Sequence, residues 1–459
     1  MTTYPLISHT DAQSILAWRL DQPVTVAQFL SDVRQLAGAM PAGQHVLNVC
    51  SDRYRFAVGL AAALVAGKIS LLPATLTAEM VRQIKMFAPD VFCLRDQPQV
   101  IDMPSLTWAE AMAENANSDQ AAGTGTGDIP QIPASQTAAI VFTSGSTGSP
   151  VAHRKSWGSL VQSARAEAER LGLLDGRRHS IVATVAPQHM YGFESSVLLA
   201  WHSGAALTAG HPFYPADICT ALAAAPRPCL FVTTPVHLKA LLAAGLSIPA
   251  PDMVLSATAP LSRQLAADAE AALQVSVLEI YGSTETGQVA TRRTCETSEW
   301  TLFPGITLRA ESGRMWASGG HIDQPTPLAD ELEILTAERF LLQGRTADLI
   351  NIAGKRSSMG YLNHQLHAVP GVLDGAFFLP EGDDGVDGNV TRLMAFVVAP
   401  GMTPATLLAA LRERIDPAFM PRPLVWVDSL PRNGTGKLPR SALVALAQGR
   451  QRVGVAHAL

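Results

Sequence analysis

The chain has 459 residues, of which 47% are hydrophobic and 16% are charged, and its net charge is −5. This composition excludes a disordered chain, and the length predicts one large domain with a smaller one. The weakly acidic balance gives no electrostatic basis for binding nucleic acid or an anionic membrane. The five cysteines are odd in number and lack metal-type spacing, which predicts reduced thiols in a cytoplasmic protein without structural zinc.

The first residues, "MTTYPLISHTDAQS", lack a basic region followed by an apolar core, so no signal peptide is predicted. The longest apolar stretch, "FAVGLAAALVAG" at 56–67, lies between Arg55 and Lys68. A bilayer span needs about 20 apolar residues. The stretch therefore predicts a buried helix, and we expect no membrane span.

Short apolar strands alternate with amphipathic or Ala/Leu-rich helices along most of the chain. Strands are predicted at 45–50, 137–142, 180–186, 229–234, 253–258 and 275–281. A polar stretch at 114–137 predicts a flexible connection. The alternation predicts an α/β fold in which mostly parallel sheets are covered by helices.

The pattern changes from about residue 305 to short strands with hairpin-like spacing, such as 330–335 and 339–344. A compact α+β unit follows, with helices predicted near 358–368 and 404–415 and strands near 372–379, 392–398 and 423–428. Its length suffices for an independent domain. We predict a large N-terminal domain over 1–345 and a small C-terminal domain over 346–459.

Three polar loops follow predicted strands, where open α/β sheets bind their ligands. They are "TSGSTG" at 143–148, "ATAP" at 257–260 and "YGSTETG" at 281–287. The first is rich in amides and hydroxyls that can surround a polyphosphate, although a flexible Ser/Gly loop is the alternative. It is not a Walker loop, because Gly148 is followed by Ser149 and Pro150, and no G-x-S-x-G nucleophile elbow is present.

Two charged residues complete this candidate site. Glu285 is the one carboxylate in a hydroxyl-rich loop, and it is suited to hold Mg²⁺ beside phosphates. Lys437 lies in the glycine-containing stretch "PRNGTGKLPR" and could act as a point charge on an anionic transition state. Of the weaker candidates, His364 and His367 lack an obvious third metal ligand, and 153–155 is interpreted as an exposed basic loop.

These residues resemble the adenylate-forming superfamily of acyl- and aryl-CoA synthetases, adenylation domains and luciferases. Five segments match its motifs in the correct order: "FTSGSTGSP", "APQHMYGFE", "YGSTETG", "GRTADLINIAGKR" and "PRNGTGKLPR". The resemblance implies that ATP and a carboxylic acid form an acyl-adenylate in the presence of Mg²⁺. A mobile C-terminal domain then rotates, and the thiol of coenzyme A or of a stand-alone carrier protein's phosphopantetheine takes the acyl group.

The resemblance also implies residue roles. Lys437, Glu285 and Thr284 would be catalytic, with Glu285 binding the metal. The residues implied to bind ATP are Thr143, Ser144, Gly145, Ser146, Thr147, Gly148, Thr258, Ala259, Pro260, Tyr281, Gly282, Ser283, Asp330 and Arg345. The acyl pocket would include His189, Tyr191 and Phe193, and the thiol-transfer face would include Gly354 and Arg356.

The chain departs from the family pattern at two positions. The phosphate loop usually ends Pro-Lys-Gly, but here Pro150 is followed by Val151 and Ala152. We expect either weaker closure of the loop over pyrophosphate or substitution of the lysine by Arg154 or Lys155. The hinge position, usually Asp or Lys, is Ala347. We expect an active enzyme for an aryl acid, such as a hydroxybenzoate, or for a short or medium acyl chain. The alternatives are an amino-acid adenylation enzyme, with Glu194 as a candidate ammonium partner, and a weakened binding protein.

Overall fold

The structure is a computed structural model. It describes residues 2–19, 22–73, 76–98, 101–113, 128–143, 151–345, 349–352, 355–380, 393–433 and 436–455. The backbone alone is described for 344–345, 349, 351, 355–358, 361 and 449–455.

The strands of the predicted large domain are short and follow one another along the chain. They are β1 Thr3–Pro5, β2 Ile15–Arg19, β3 Gln22–Thr25, β4 His45–Asn48, β5 Ile69–Pro73, β6 Phe92–Arg95, β7 Ser105–Thr107, β8 Gln131–Pro133, β9 Thr137–Thr143, β10 Val151–Ser156, β11 Ser180–Ala183, β12 Ala206–Thr208, β13 Cys229–Thr233, β14 Met253–Ser256, β15 Val277–Ser283, β16 Gly287–Arg293, β17 Glu299–Leu302, β18 Ile306–Glu311, β19 Arg314–Gly319, β20 Ile322–Pro327, β21 Asp330–Ile334 and β22 Arg339–Arg345.

Helices connect most of these strands. They are α1 Val26–Ala39, α2 Arg53–Val65, α3 Ala78–Phe87, α4 Trp108–Ala113, α5 Trp157–Arg170, α6 Met190–Gly192, a π-helix Phe193–Leu198, α7 Leu199–Ser203, α8 Pro215–Ala224, α9 Pro235–Ala243 and α10 Arg263–Leu273.

Two sheets form the framework of this part of the chain. The first has the strand order β10-β9-β5-β4-β6-β7, in which only the β10–β9 pair is antiparallel. The second has the order β21-β22-β17-β16-β15-β14-β13-β11-β12-β2-β3. Its strands from β15 to β2 are parallel, and the flanking pairs on both sides are antiparallel. The predicted α/β class with mostly parallel central strands is confirmed.

The remaining elements belong to the predicted small domain. They are β23 Leu349–Ile352, β24 Lys355–Ser358, α11 Met359–His367, β25 Asp374–Phe378, β26 Met394–Val398, α12 Pro404–Arg412, a 3₁₀ helix Pro417–Phe419, β27 Leu424–Trp426 and α13 Arg440–Val455. Within the described residues, the buried apolar clusters of 350–443 are separate from those of 6–340. This separation supports the predicted boundary between 345 and 346, which stays a prediction.

Helix α2 shows how the sequence determines the packing between the two sheets. Nearly every residue from Tyr54 to Leu64 is buried, because the helix is apolar on all sides. The side chain of Asp52 caps its first turn by accepting from the Arg55 amide at 2.9 Å. In the described part of the chain, no helix combines the length and hydrophobicity that a membrane crossing requires.

Arg53, the first residue of α2, is a fully buried cation. Its guanidinium donates to the carbonyls of Val185 and Ala183 at 3.0 and 2.8 Å and to Ser196 Oγ at 2.6 Å. Burial lowers the pKa of Arg53 to about 10, which still leaves it charged at neutral pH. Arg53 therefore ties the start of α2 to the carboxyl end of β11 through hydrogen bonds that an apolar residue cannot make.

We predict that Arg53→Leu lowers the free energy of unfolding by about 2–4 kcal/mol, because it removes three buried hydrogen bonds at once. Urea denaturation followed by circular dichroism measures the change. Arg34→Leu, at an exposed position of α1, is the matched control and should change the value by less than about 0.5 kcal/mol. Equal effects of the two substitutions would contradict this account of Arg53.

Candidate active site

The turn that carries Glu285 joins two antiparallel strands of the second sheet. Thr284, Glu285 and Thr286 form the turn between β15 and β16, and Ser283 is paired with Gly287 across it. The hydroxyl oxygens of Ser283 and Thr286 lie 3.0 Å apart, and the Thr286 amide donates to Ser283 Oγ at 3.2 Å. The turn is therefore held in shape by its own hydroxyl side chains.

Two glycines of this turn allow close packing that no larger residue could replace. A Cβ at Gly282 would lie 2.3 Å from the carbonyl oxygen of Gly287. Gly287 has a φ of +73°, and a Cβ there would lie 2.9 Å from Glu194 Oε1 and 3.4 Å from His321 Nε2. Glu194 and His321 thus pack directly beneath the backbone of the turn.

The Glu285 side chain is 43% exposed, so a ligand could reach its carboxylate. Its partial burial raises the pKa of this carboxyl group, but hydrogen bonds from its own amide and from Ser283 lower it, and so do the charges of His153 and Lys155. The net effect is a pKa below the ordinary value, so Glu285 is ionised at neutral pH. An ionised, accessible carboxylate is the oxygen ligand that Mg²⁺ takes, together with water and substrate phosphates.

The β9–β10 hairpin of the first sheet contacts this turn through the side chains of His153 and Lys155. His153 Nε2 lies 2.9 Å from Thr143 Oγ1 and 3.7 Å from Glu285 Oε1. Thr143 ends β9 and is paired with Val151, the first residue of β10. His153 therefore links the base of the predicted phosphate loop to the predicted metal ligand. The loop residues Ser144, Gly145, Ser146, Thr147 and Gly148 lie outside the described part of the chain.

Lys155 is the second contact between the hairpin and the turn. It is only 6% exposed, and its Nζ donates to the backbone carbonyl of Glu285 at 3.0 Å. The interpretation of 153–155 as an exposed basic loop is wrong, because these residues form β10, with His153 half-buried and Lys155 buried. A run of three basic residues predicts exposed side chains, and it does not indicate a strand whose alternate side chains are buried.

Two buried carboxyl groups lie behind the turn. Burial raises the pKa of Glu194 to about 7, although the charge of Lys155 opposes the shift. Burial also raises the pKa of Glu167 on α5 to about 8. Ser195 and Gln288 lie near Glu167 but bond each other at 2.7 Å, and neither Glu167 oxygen has a well-formed hydrogen bond within the described residues. Both carboxyl groups therefore favour the neutral form far more than exposed ones do.

The residues predicted for the nucleoside also come together. Tyr281 donates from its hydroxyl to Asp330 Oδ2 at 2.7 Å, and its ring packs against Trp300 and Phe340. Asp330 is the cross-strand partner of Arg345, of which the backbone alone is described. These aromatic contacts hold Tyr281 and orient the Asp330 carboxylate.

The "TAP" loop follows β14 at the same edge of the second sheet. Thr258 has a φ of +80°, which is strained for a β-branched residue. Thr258 and Ala259 are half-buried and Pro260 is exposed. The next amide, of Leu261, donates to the buried Glu279 at 2.8 Å, so the loop is anchored immediately after the predicted site residues.

The three residues predicted for the acyl pocket have different surroundings. His189 caps α6 by accepting from the Tyr191 amide at 3.3 Å, and it is half-buried. Burial and the nearby charge of Lys437 lower the pKa of His189 to about 4, so its ring is neutral. The Tyr191 hydroxyl donates to the Leu255 carbonyl at 2.9 Å, and Phe193 is fully buried in the core. His189 is therefore the most accessible of the three.

Lys437 is exposed and lies in a turn closed by hydrogen bonds. Its amide donates to Asn433 Oδ1 at 2.9 Å, and Arg432 donates to the Gly436 carbonyl at 3.0 Å. A Cβ at Gly436 would lie 2.3 Å from Val236 Cγ2 on α9. The turn thus packs on the large part of the chain, close enough for Lys437 to affect His189.

Other predicted residues are described only in part. Gly354 lies outside the described residues, and Arg356 is described as backbone of β24, paired with Asn351. His367 Nε2 accepts from the Gly375 amide at 3.1 Å and lies 3.3 Å from Asp374 Oδ1, which is a local structural role. Within the described residues, no group of three or more His, Cys, Asp or Glu side chains could hold a metal ion.

The sequence profile of the AMP-binding enzyme family matches residues 8–362 of the chain. The chain belongs to this adenylate-forming family. It is 32% identical over 311 residues to a 4-coumarate–CoA ligase of Rhodobacter capsulatus, covering 66% of this chain and 75% of that relative. It is also 28% identical over 338 residues to a probable 2-succinylbenzoate–CoA ligase of Mycobacterium tuberculosis, covering 67% and 84%.

Solved structures of family members share the fold over nearly the whole chain. ATP-bound MatB from Rhodopseudomonas palustris has a TM-score of 0.79 at 18% identity and covers 95% of this chain and 96% of its own. The o-succinylbenzoate–CoA synthetase of Bacillus subtilis, solved with its acyl-adenylate, has a TM-score of 0.79 at 17% identity and covers 96% and 98%. At these identities the likeness supports the fold alone.

Sequence reasoning missed the layer beneath the Glu285 turn. Lys155, Glu194, Glu167 and His321 are each buried, and burial lowers the pKa of His321 to about 4. They come from different elements, so no local pattern predicts that they meet. The one sequence feature that could have indicated burial was Lys155, at an alternate position of an apolar-flanked strand.

We predict that Glu167→Gln becomes more stabilising relative to the unsubstituted protein as pH rises from 5 to 8.5. Burial raises the pKa of Glu167 in the folded state to about 8. The protonated carboxyl group therefore stabilises the fold fully below the pKa that Glu167 has in the unfolded chain, and this stabilisation is lost as the pH rises through the folded-state pKa. Glutamine mimics the protonated form at every pH and removes this loss.

Melting temperatures of both proteins at pH 5, 6, 7 and 8.5 measure the effect. Glu169→Gln, at an exposed position of the same helix, is the matched control and should show a pH-independent difference. A Glu167→Gln difference that stays constant or shrinks with rising pH would refute the assignment.

Proposed function

We propose that the chain is an acid–thiol ligase that uses ATP to activate an aromatic carboxylic acid and transfers the acyl group to coenzyme A. The observation that carries the proposal is the contact between the Glu285 turn and the β9–β10 hairpin, made by His153 and Lys155. The ionised Glu285 carboxylate thus lies beside the strand that follows the predicted phosphate loop. The turn that carries Lys437 packs separately on α9 through Gly436.

In the first half-reaction, a carboxylate oxygen of the acid attacks the α-phosphorus of ATP and the bond to pyrophosphate breaks. Both reactants are anions, so the site must offset their repulsion. Glu285 would hold Mg²⁺, which neutralises phosphate charge when bound. Lys437 would place its ammonium against the developing charge, and Thr143 and Thr284 would donate hydroxyl hydrogens to phosphate oxygens.

The nucleoside would bind between the "TAP" loop and Tyr281. Asp330 is oriented by the Tyr281 hydroxyl at 2.7 Å and would accept hydrogen bonds from the ribose hydroxyls. Arg345, the cross-strand partner of Asp330, would approach the ribose from the neighbouring strand. Gly282 and Ser283 would contact the nucleotide along the same turn, as the family resemblance implies.

In the second half-reaction, a thiol attacks the acyl carbon and AMP leaves. The small domain would rotate and bring Gly354 and Arg356 to the site, as the family resemblance implies. Coenzyme A is the favoured acceptor, because the curated relatives described above are named CoA ligases. A carrier-protein phosphopantetheine is the alternative acceptor, since it presents the same thiol.

An aromatic acid is supported by two observations. The relatives described above are named for 4-coumarate and 2-succinylbenzoate, both of which contain a benzene ring. His189 and Tyr191, which would line the acyl pocket, are themselves aromatic. Amino-acid activation has less support, because the buried Glu194 carboxyl group already accepts from Ser163 Oγ at 3.4 Å and packs against Gly287.

Acid-dependent pyrophosphate–ATP exchange tests the proposal with 4-coumarate, 4-hydroxybenzoate, octanoate, malonate and L-phenylalanine. We expect the fastest exchange with an aromatic acid, and an acyl-CoA product when coenzyme A is added. Exchange with L-phenylalanine alone would indicate amino-acid activation. ATP binding without exchange for any acid would indicate a binding protein, and product formation only with a holo-carrier protein would change the acceptor.

We predict that Lys437→Ala slows acid-dependent exchange by about 100-fold or more, because a charge aimed at the transition state is lost. The same variant should convert a supplied acyl-adenylate and coenzyme A to product at close to the unsubstituted rate. Lys85→Ala, which breaks an exposed ion pair with Asp102 on the surface, is the control and should leave both rates unchanged. Full exchange by Lys437→Ala would contradict the assigned role.

A further inference from the structure

His153 and Lys155 hold Glu285 from one face of a single strand. They are two residues apart on β10, so their side chains leave the strand on the same side. His153 Nε2 lies 3.7 Å from the Glu285 carboxylate, and Lys155 Nζ donates to the Glu285 carbonyl at 3.0 Å. Arg154, between them, is exposed. One strand thus contacts both ends of the same residue.

A second set of polar side chains packs against the residue that follows the turn. Glu194 and His321 pack against Gly287, immediately after the turn. Ser159 donates to the His321 carbonyl at 2.7 Å, which joins α5 to the loop before β20. The turn backbone is therefore contacted by Lys155 at Glu285 and by Glu194 and His321 at Gly287.

A buried ammonium at position 155 needs a reason, because burying a lysine is costly without nearby negative charge. Burial lowers the pKa of Lys155, and the charges of Glu194, Glu285 and Asp323 oppose that shift. An apolar side chain would fill the same space at lower cost, but it could not donate to the Glu285 carbonyl.

We propose that Lys155 is a positioning residue, which fixes the backbone of Glu285 so that its carboxylate is oriented to bind the metal–nucleotide complex. The inference rests on the proposed function, since it assumes that Glu285 is the metal ligand. Lys155 acts here on the turn backbone, a different position from the missing lysine at 151. Residues that orient a metal ligand typically contribute about 10- to 100-fold to metal affinity.

The test compares Lys155→Met, which keeps the length of the side chain and removes the ammonium, with Lys85→Met, at a surface ion pair with Asp102, as the matched control. Mn²⁺ binding to the ATP-bound protein, followed by electron paramagnetic resonance, needs no turnover. We expect Lys155→Met to weaken Mn²⁺ binding by about tenfold. It should also raise the Mg²⁺ concentration for half-maximal exchange by a similar factor, with the KM for the acid within about twofold.

Lys155→Arg keeps a cation and its donors and should restore most of the metal affinity. This variant also separates positioning from folding, because it preserves the charge of the buried cluster if Lys155→Met proves too unstable to purify. Weak Mn²⁺ binding by Lys155→Arg at unchanged melting temperature would overturn the inference. So would Lys155→Met with Mn²⁺ affinity equal to that of Lys85→Met.

A double-mutant cycle with Glu285→Gln separates this inference from the proposed function. If Lys155 acts through Glu285, adding Lys155→Met to Glu285→Gln should weaken Mn²⁺ binding by less than about twofold further. Additive losses would overturn the inference and leave Glu285 as the ligand. If Glu285→Gln alone leaves Mn²⁺ affinity and exchange unchanged, the metal role of Glu285 fails, and with it the role of Lys155.

Discussion

The contact between the β9–β10 hairpin and the Glu285 turn is the constraint on which the candidate site depends. The hairpin belongs to the first sheet and the turn to the second, and neither alone would form the candidate site. Lys155 joins them by a hydrogen bond to the Glu285 carbonyl, and His153 lies 3.7 Å from the Glu285 carboxylate. The end of β9 and the Glu285 carboxylate are thereby held next to each other, an arrangement that neither sheet provides by itself.

Much of the framework could be predicted because short sequence patterns determine its strands and helices. The strands at 137–143 and 229–233 are largely apolar runs, which is typical of strands buried on both faces. The ordered family motifs likewise predicted that Tyr281 and Asp330 would share a site, and the structure joins them by a hydrogen bond. Patterns within about ten residues were sufficient for these conclusions.

The buried polar layer could not be predicted in this way. Lys155, Glu194 and His321 are far apart in sequence, and a charged residue is usually solvated. Their burial follows from the packing of β10, the π-helix and the loop before β20, which only tertiary structure supplies. Phe193, which the motif implies for the acyl pocket, is fully buried, and its role in the pocket stays a prediction.

The turn at Gly436 has a consequence for the distance between the two parts of the chain. With a φ of +80° and only hydrogen on its Cα, this residue lets the backbone approach Val236 more closely than any side chain would permit. Even one methyl group would act as a spacer and hold the neighbouring lysine further from His189. The absence of a side chain at Gly436 therefore sets how closely the turn that carries Lys437 packs on α9.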